Sequence, residues 1–130
     1  MDSSQIEHVR RFNRFFTRRI GALNDSYLGR GRPLGQARVL FETGPDGCDL
    51  HSLRERLGLD SGYMSRLVKL LTSEGLISTE DDPADRRKRV LRLTPEGLKE
   101  HAAYDALSDD FAHSILAPLG EPQRARLITA

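Results

Sequence analysis

Residues 49–75 read DLHSLRERLGLDSGYMSRLVKLLTSEG and contain two helical patterns in immediate succession. In the first, Leu50, Leu53 and Leu57 recur at helical spacing, and Gly58 ends the pattern. In the second, apolar residues follow the i, i+3, i+4, i+7 spacing of one helix face, at Met64, Leu67, Val68 and Leu71. A short helix joined by about three residues to a second helix is typical of a helix-turn-helix.

The next part of the chain predicts a β-hairpin. Residues 76–80 and 89–93 are strand-like, with alternating apolar and polar side chains in the second segment. Between them lies a polar connector that contains Pro83, and we call residues 81–89 the wing. A helix-turn-helix followed directly by a two-stranded hairpin is a winged helix-turn-helix.

Helical patterns flank this core on both sides. After Thr94 and Pro95, which are typical of a helix start, one pattern runs to about residue 116, and a last one follows from residue 121. We therefore predict a mainly α single domain over residues 1–130, with a winged core at about 33–93 and outer helices at about 5–27 and 95–130. The first outer helix is indicated by apolar residues at steps of three and four: Ile6, Val9, Phe12, Phe16, Ile20, Leu23 and Tyr27.

Composition excludes several classes of protein. Cys48 is the single cysteine in the sequence, so no intrachain disulfide can form, and no Cys/His spacing resembles a zinc site. No apolar run approaches the roughly 20 residues of a membrane span, and no signal peptide is visible. We expect a cytoplasmic protein with no membrane partner, cofactor, metal or catalytic group. The net charge is only +1, but residues 86–93 hold five cations and no acid.

The outer face of the second helix, residues 60–74, is the candidate surface for reading DNA. An arginine there matches guanine O6/N7 or a phosphate, serine and lysine mostly serve phosphates, and a glycine lets the backbone approach closely. The alternative is that these are ordinary solvated helix charges. The predicted DNA-contacting residues of this helix are Ser61, Gly62, Tyr63, Ser65, Arg66 and Lys69.

The wing adds a second candidate contact, formed by Asp85, Arg86, Arg87 and Lys88. We expect Asp85 to pair with a nearby arginine and hold the wing, which leaves another arginine free to enter a minor groove. The alternative is a solvated loop whose charges prevent edge-to-edge aggregation.

Several segments carry a family resemblance. Asp82–Arg87 and Val90–Gly97 resemble the wing signature of the MarR family of transcriptional regulators, and Leu59–Val68 with Glu74–Ile77 resembles its recognition helix. The resemblance covers nearly the whole chain. The segment Ser26–Leu40 is more narrowly similar to the regulator half of proteins that fuse a MarR-like domain to a GNAT-type acetyltransferase.

The resemblance implies a sequence-specific, ligand-responsive regulator of transcription. It implies a homodimer that intertwines its outer helices, 5–27 and 95–130, and presents two recognition helices to a pseudo-palindromic site on double-stranded DNA. It also implies a small, often aromatic, effector between the dimerisation and DNA-binding parts. A repressor is the expected form, with activation left open. The last helix, residues 121–130, is shorter than in the family, and we expect it to be truncated.

Other interpretations remain open. Residues 32–37 fit the R-x-x-G-x-A pattern of acetyl-CoA pyrophosphate loops, but those loops follow a strand, and we predict no enzyme activity. His101 and Asp105 share a helix face and are either metal ligands or solvated side chains. Cys48 is either a redox sensor or an inert thiol. The chain as a whole could instead be a regulatory or protein-interaction module of a larger acetyltransferase fusion, with little independent DNA binding.

Overall fold

The protein is mainly α-helical with a small antiparallel sheet, in a computed structural model that describes residues 1–22 and 26–130. The helices are α1 (Ser3–Ile20), α2 (Leu34–Thr43), α3 (Leu50–Leu57), α4 (Ser61–Ser73), α5 (Pro95–Leu116) and α6 (Glu121–Thr129). The strands are β1 (Cys48–Asp49), β2 (Ile77–Asp81) and β3 (Arg89–Leu93), hydrogen-bonded in the order β1-β3-β2. The predicted winged helix-turn-helix fold is confirmed. The short strand β1 was not predicted, and it makes the expected two-stranded hairpin part of a three-stranded sheet.

The two helices of the helix-turn-helix have the ends that the sequence predicts. Asp49 caps α3 by accepting a backbone N–H of the first turn at 2.9 Å, and Gly58 ends the helix with a left-handed φ of 67°. Asp60 caps α4 by accepting the N–H groups of Gly62 and Tyr63. The predicted extent of the second helix is therefore confirmed.

One apolar core joins α2, α3 and α4 to the sheet. Leu40, Leu53, Leu71 and Leu91 have no exposed surface, and burying a leucine contributes about 1.5–3 kcal/mol. The other buried members of this core are Val39, Leu57, Met64, Leu67, Leu76 and Ile77. Because α4 turns its apolar stripe inward, its polar face is held at the surface.

Strand β3 lies at the centre of the sheet. Its buried Leu91 pairs with Cys48 of β1 on one side and with Thr79 of β2 on the other. The β2–β3 hairpin stays in register out to the pair Asp81–Arg89, where the tip of the wing begins. Since β1 leads directly into α3, the central strand attaches the wing to the helix-turn-helix.

Helix α1 is shorter than predicted. The prediction of a helix over residues 5–27 is wrong at its C-terminal end, because Gly21 adopts a left-handed φ of 73° and its N–H closes onto carbonyl groups of the last turn. Tyr27 instead begins a short 3-10 turn, Tyr27–Gly29. Leu23, a member of the predicted apolar stripe, lies outside the described residues.

The C-terminal helices begin and end close to the predicted positions. Thr94 caps α5 by accepting the N–H of Gly97 at 3.0 Å, with Pro95 at the first helical position. The chain then leaves the helix after Leu116 and starts α6 at Glu121. Among the described residues, no helix combines the length and the apolar character needed to cross a membrane.

Helix α5 crosses the start of the hairpin at very short range. The Thr94 N–H donates to the carbonyl oxygen of Leu76 at 3.1 Å, and the Thr94 hydroxyl donates to that of Gly75 at 2.6 Å. A Cβ atom added to Gly97 would lie 1.9 Å from the Leu76 carbonyl oxygen. This oxygen belongs to the backbone, which cannot rotate aside as a side chain does. The crossing therefore requires glycine at position 97.

We expect Gly97→Ala to lower the free energy of unfolding by at least about 1–3 kcal/mol, the usual cost of overpacking. This loss outweighs the gain of about 1 kcal/mol that alanine brings over glycine in a helix. Urea denaturation followed by circular dichroism measures it. Gly62→Ala is the matched control, because a Cβ at Gly62 meets its nearest atom, a side-chain oxygen of Asp60, only at 3.3 Å. Equal stability of the two variants would contradict the prediction.

Candidate nucleic-acid interface

Helix α4 presents a continuous polar face to solvent. Ser61, Ser65, Arg66 and Lys69 are all exposed on it, and Gly62 is exposed in its first turn. Tyr63 is exposed as well, so all six residues predicted on this helix have access to solvent. Such a face can offer hydroxyl, guanidinium and ammonium donors to a large anionic ligand.

Tyr63 differs from the other five residues because it also packs against a neighbouring helix. Its hydroxyl packs so closely on α2 that a Cβ atom at Gly35 would come within 2.4 Å of it. The guanidinium of Arg66 lies over the tyrosine ring, 5.9 Å from its centroid. Tyr63 therefore supports Arg66 and the contact with α2, and the structure does not place it beside the wing.

A set of turns within residues 82–88 organises the tip of the wing. Asp85 accepts the backbone N–H of Arg87 at 3.1 Å and its Nε at 3.3 Å, so the predicted pairing of Asp85 with an arginine is confirmed. The N–H of Asp82 donates to the carbonyl oxygen of Lys88 at 3.0 Å and closes the loop. Arg86 is exposed, and no carboxylate of the described residues pairs with it.

A groove of about 550 Å³ separates α4 from the wing. Leu50, Met64 and Val68 give it an apolar lining. Its cationic lining comes from α3 as well as from the wing, and it includes two arginines that were not predicted as site residues, Arg54 and Arg89. His51 and Thr79 lie beside them in the lining. The sequence carries one signal for Arg54, because this residue lies off the apolar stripe that Leu50, Leu53 and Leu57 form on α3.

Ion pairing divides the arginines of this region into two groups. Arg56 pairs with Glu42 at 3.8 Å, and Arg92 pairs with Glu80 across the hairpin. Within residues 1–22 and 26–130, six cations near α4 and the wing have no carboxylate partner: Arg54, Arg66, Lys69, Arg86, Lys88 and Arg89. Unneutralised cations on one surface attract a polyanion.

The groove also has two carboxylates, and both are engaged locally. Hydrogen bonds from the backbone and side chain of Ser52 hold the pKa of Asp49 below its usual range, so this group is ionised near neutral pH. Asp85 forms an ion pair with Arg87. The cations in the groove therefore outnumber the anions, and Arg54, Lys88 and Arg89 remain available.

A second cavity, of about 390 Å³, lies between α2 and α5. Tyr27, Phe41 and Tyr104 line it, together with Arg38 and other side chains. Tyr104 is only 1% exposed, and its hydroxyl has no hydrogen-bond partner among the described residues. Burial raises the pKa of Tyr104, which keeps the hydroxyl protonated and able to donate.

The alternative chemical sites receive less support. Arg32 of the R-x-x-G-x-A segment pairs with Glu74 at 2.7 Å, and in the described residues the element before α2 is a 3-10 turn rather than a strand. His101 stacks on Phe41 with the ring centroids 4.8 Å apart. No group of three or more metal-binding side chains occurs in the described parts of the chain.

Cys48 lies in β1 and is half-buried. Burial raises the pKa of its thiol, and the thiolate is the reactive form of cysteine. Both observations favour the inert interpretation over the redox sensor.

Comparison with known proteins agrees with the fold. The MarR family model matches residues 30–88. The HTH-type transcriptional regulator BilQ of Clostridium symbiosum is 29% identical over 91 residues, which cover 70% of this chain and 63% of BilQ. The aligned part thus spans less than two thirds of that relative.

Solved structures give the same result. The transcriptional regulator PcaV of Streptomyces coelicolor, in complex with its natural ligand, has a TM-score of 0.64 and 27% identity, over 93% of this chain and 84% of PcaV. FabT of Streptococcus pneumoniae, in complex with DNA, has a TM-score of 0.78 and 18% identity, over 98% of this chain and 91% of FabT. BilQ and PcaV are both transcriptional regulators.

The polar face of α4, the ordered wing and these similarities agree: residues 30–88 match the MarR family model, and the chain resembles winged helix-turn-helix transcriptional regulators.

Proposed function

We propose that the chain is a sequence-specific regulator of transcription that binds double-stranded DNA in the cytoplasm. The observation that carries this proposal is the set of cations without a carboxylate partner among the described residues: Arg66 and Lys69 on the exposed face of α4, and Lys88 and Arg89, which line the groove between α4 and the wing. In this proposal α4 lies in the major groove and the wing reaches the minor groove. The DNA contacts are Ser61, Gly62, Ser65, Arg66 and Lys69 of α4 and Arg86, Arg87 and Lys88 of the wing, with Asp85 and Tyr63 as supports.

The proposed functional unit is a homodimer of a single domain, residues 1–130, with the DNA-binding core at 33–93. Helix α1 buries none of its residues and exposes several large apolar side chains, among them Val9, Phe12 and Phe15. Leu127 and Ile128 of α6 are also exposed. Exposed apolar surface of this kind marks an interface, and a two-fold dimer would read a pseudo-palindromic site.

Arg66→Ala should lower the affinity for a selected DNA site by about 1–3 kcal/mol if the guanidinium reads a base. Random duplex should be affected much less, since it offers no matched base. Fluorescence anisotropy on both duplexes measures the difference, with Lys99→Ala on α5 as the control. An equal loss on the two duplexes would show that Arg66 contacts only phosphate.

Arg86→Ala should reduce the salt dependence of binding to random duplex, because each neutralised phosphate adds about −0.9 to the slope of log K against log salt. The slope for the variant should be shallower by about one unit. Sedimentation equilibrium first establishes that the protein is a dimer. A confirmed dimer that fails to bind duplex at low salt would refute the DNA-binding proposal and favour a protein-interaction module.

We further propose that a small aromatic effector binds in the cavity between α2 and α5. The unpartnered hydroxyl of Tyr104 supports this, because a buried donor without an acceptor is costly unless a ligand supplies one. The ligand complex of the similar regulator PcaV is consistent with such regulation.

Tyr104→Phe should have opposite effects on the free and the liganded protein. Without ligand, the Tm of the variant should rise or stay equal to that of the wild type. The substitution removes an unsatisfied buried hydroxyl, which destabilises the folded protein by about 1–3 kcal/mol. The rise in Tm produced by a single-ring compound such as benzoate or phenol should shrink, because the hydrogen bond to the ligand is lost. Thermal unfolding with and without these compounds tests both effects, and an unchanged ligand response would contradict the proposed role of Tyr104.

A further inference from the structure

We propose that the groove between α3, α4 and the wing holds one sugar–phosphate strand of the DNA, and that Arg54 and Arg89 bind its phosphates. This inference rests on the proposed function, and it adds α3 and the base of the wing to the DNA-binding surface. Neither arginine belongs to the outer face of α4 or to the wing tip, from which the proposed contacts were drawn.

The shape of B-DNA requires a strand at this position. A major groove about 12 Å wide and a minor groove about 6 Å wide are separated by a single sugar–phosphate backbone. If α4 lies in the former and the wing reaches the latter, that backbone passes over the space between them. In this protein the space is the groove of about 550 Å³ rather than packed side chains.

The lining of the groove suits such a strand. Leu50, Met64 and Val68 offer apolar surface to the deoxyribose, while Arg54 from α3 and Arg89 from β3 bring guanidinium groups to the same groove. A guanidinium matches a phosphate with two parallel hydrogen bonds. The groove therefore combines an apolar surface, which suits the deoxyribose rings, with a cationic surface, which suits the anionic phosphates.

Both arginines are positioned without being neutralised. The Nη2 of Arg54 lies 3.2 Å from Nδ1 of His51, and the Nη2 of Arg89 donates to the Thr79 hydroxyl at 2.8 Å. Those contacts orient the side chains and leave the positive charges unpaired by any carboxylate of the described residues. His51 lies 3.1 Å from Glu55, on the exposed side of α3.

The two acidic groups in the groove do not cancel these charges. Asp85 faces Arg87, and Asp49 is held by the hydrogen bonds of Ser52 at the start of α3. The groove lining contains two carboxylates and four cationic side chains, those of Arg54, Arg87, Lys88 and Arg89. The groove therefore keeps an excess of positive charge.

The test compares Arg54→Gln and Arg89→Gln with two controls on the same elements. Arg56→Gln is the control on α3, because Arg56 donates to the carbonyl oxygen of Glu42 at 3.0 Å, outside the groove. Arg92→Gln is the control on β3, because Arg92 bonds Glu80 and the carbonyl oxygen of Asp46. Each dimeric full-length variant is titrated with random duplex by fluorescence anisotropy over a range of salt, and its Tm is recorded.

We expect each groove variant to have a salt slope shallower by about 0.9 and roughly tenfold weaker binding at 0.1 M salt, with the slopes of the controls unchanged. Unchanged slopes for both groove variants, with wild-type binding intact, would overturn this inference and leave the proposed function standing. Equal losses in the controls would also overturn it, because the effect would then not come from the groove. Absence of binding by the wild-type dimer would overturn the proposed function itself.

Discussion

The pairing of β3 with both of its neighbours sets the geometry on which the DNA-binding surface depends. Leu91 is fully buried and lies between Cys48 and Thr79, so one strand joins the wing to the residues that start α3. Without β1, the hairpin would lose its hydrogen bonds to the residues that start α3 and would keep only its own ends and the packing of Ile77 and Leu91 in the core. A two-stranded hairpin alone is marginally stable, and the third strand and the core beneath it stabilise the hairpin that carries the wing.

Local signals made most of the fold predictable from the sequence. Asp60, the apolar spacing of α4 and Gly58 each act within a few residues, and the structure has the helices where these signals place them. The same holds for Thr94 and Pro95 at the start of α5. The end of α1 was mispredicted because an apolar stripe can continue beyond a glycine that adopts a left-handed conformation, as Gly21 does.

The parts that could not be predicted depend on contacts between distant residues. Cys48 becomes a strand residue only because Leu91 offers it a partner 43 positions later in the chain. Tyr63 lies beside Arg66, as its place on the helix predicts, but the contact of its hydroxyl with α2 depends on the absence of a side chain at Gly35. Arg54 enters the candidate site only when α3 and the wing are brought together. None of these contacts has a signature in local spacing.

Although the net charge is only +1, the cationic side chains fall into two groups, those paired with carboxylates and those left unpaired among the described residues. Acidic residues neutralise the arginines that tie elements together, as Glu42 does for Arg56 and Glu80 for Arg92. Exposed pairs of this kind contribute little to stability, typically less than about 1 kcal/mol. Their larger effect is on the distribution of potential, since they neutralise these two arginines and leave other arginines around α4 and the wing unpaired among the described residues.

A charged network also connects the far end of α4 to the cavity between α2 and α5. Arg32 pairs with Glu74, the C-cap residue of α4, and lies 3.9 Å from Glu100 of α5. Arg30 bonds Glu100 at 2.6 Å, holds its pKa below the usual range, and lies 6.0 Å from the ring centroid of Tyr104. Glu100 therefore cannot move without changing the partners of Arg32. A ligand that contacts Tyr104 would alter DNA affinity through this network only if it binds the DNA-bound and DNA-free conformations of the protein with different free energies.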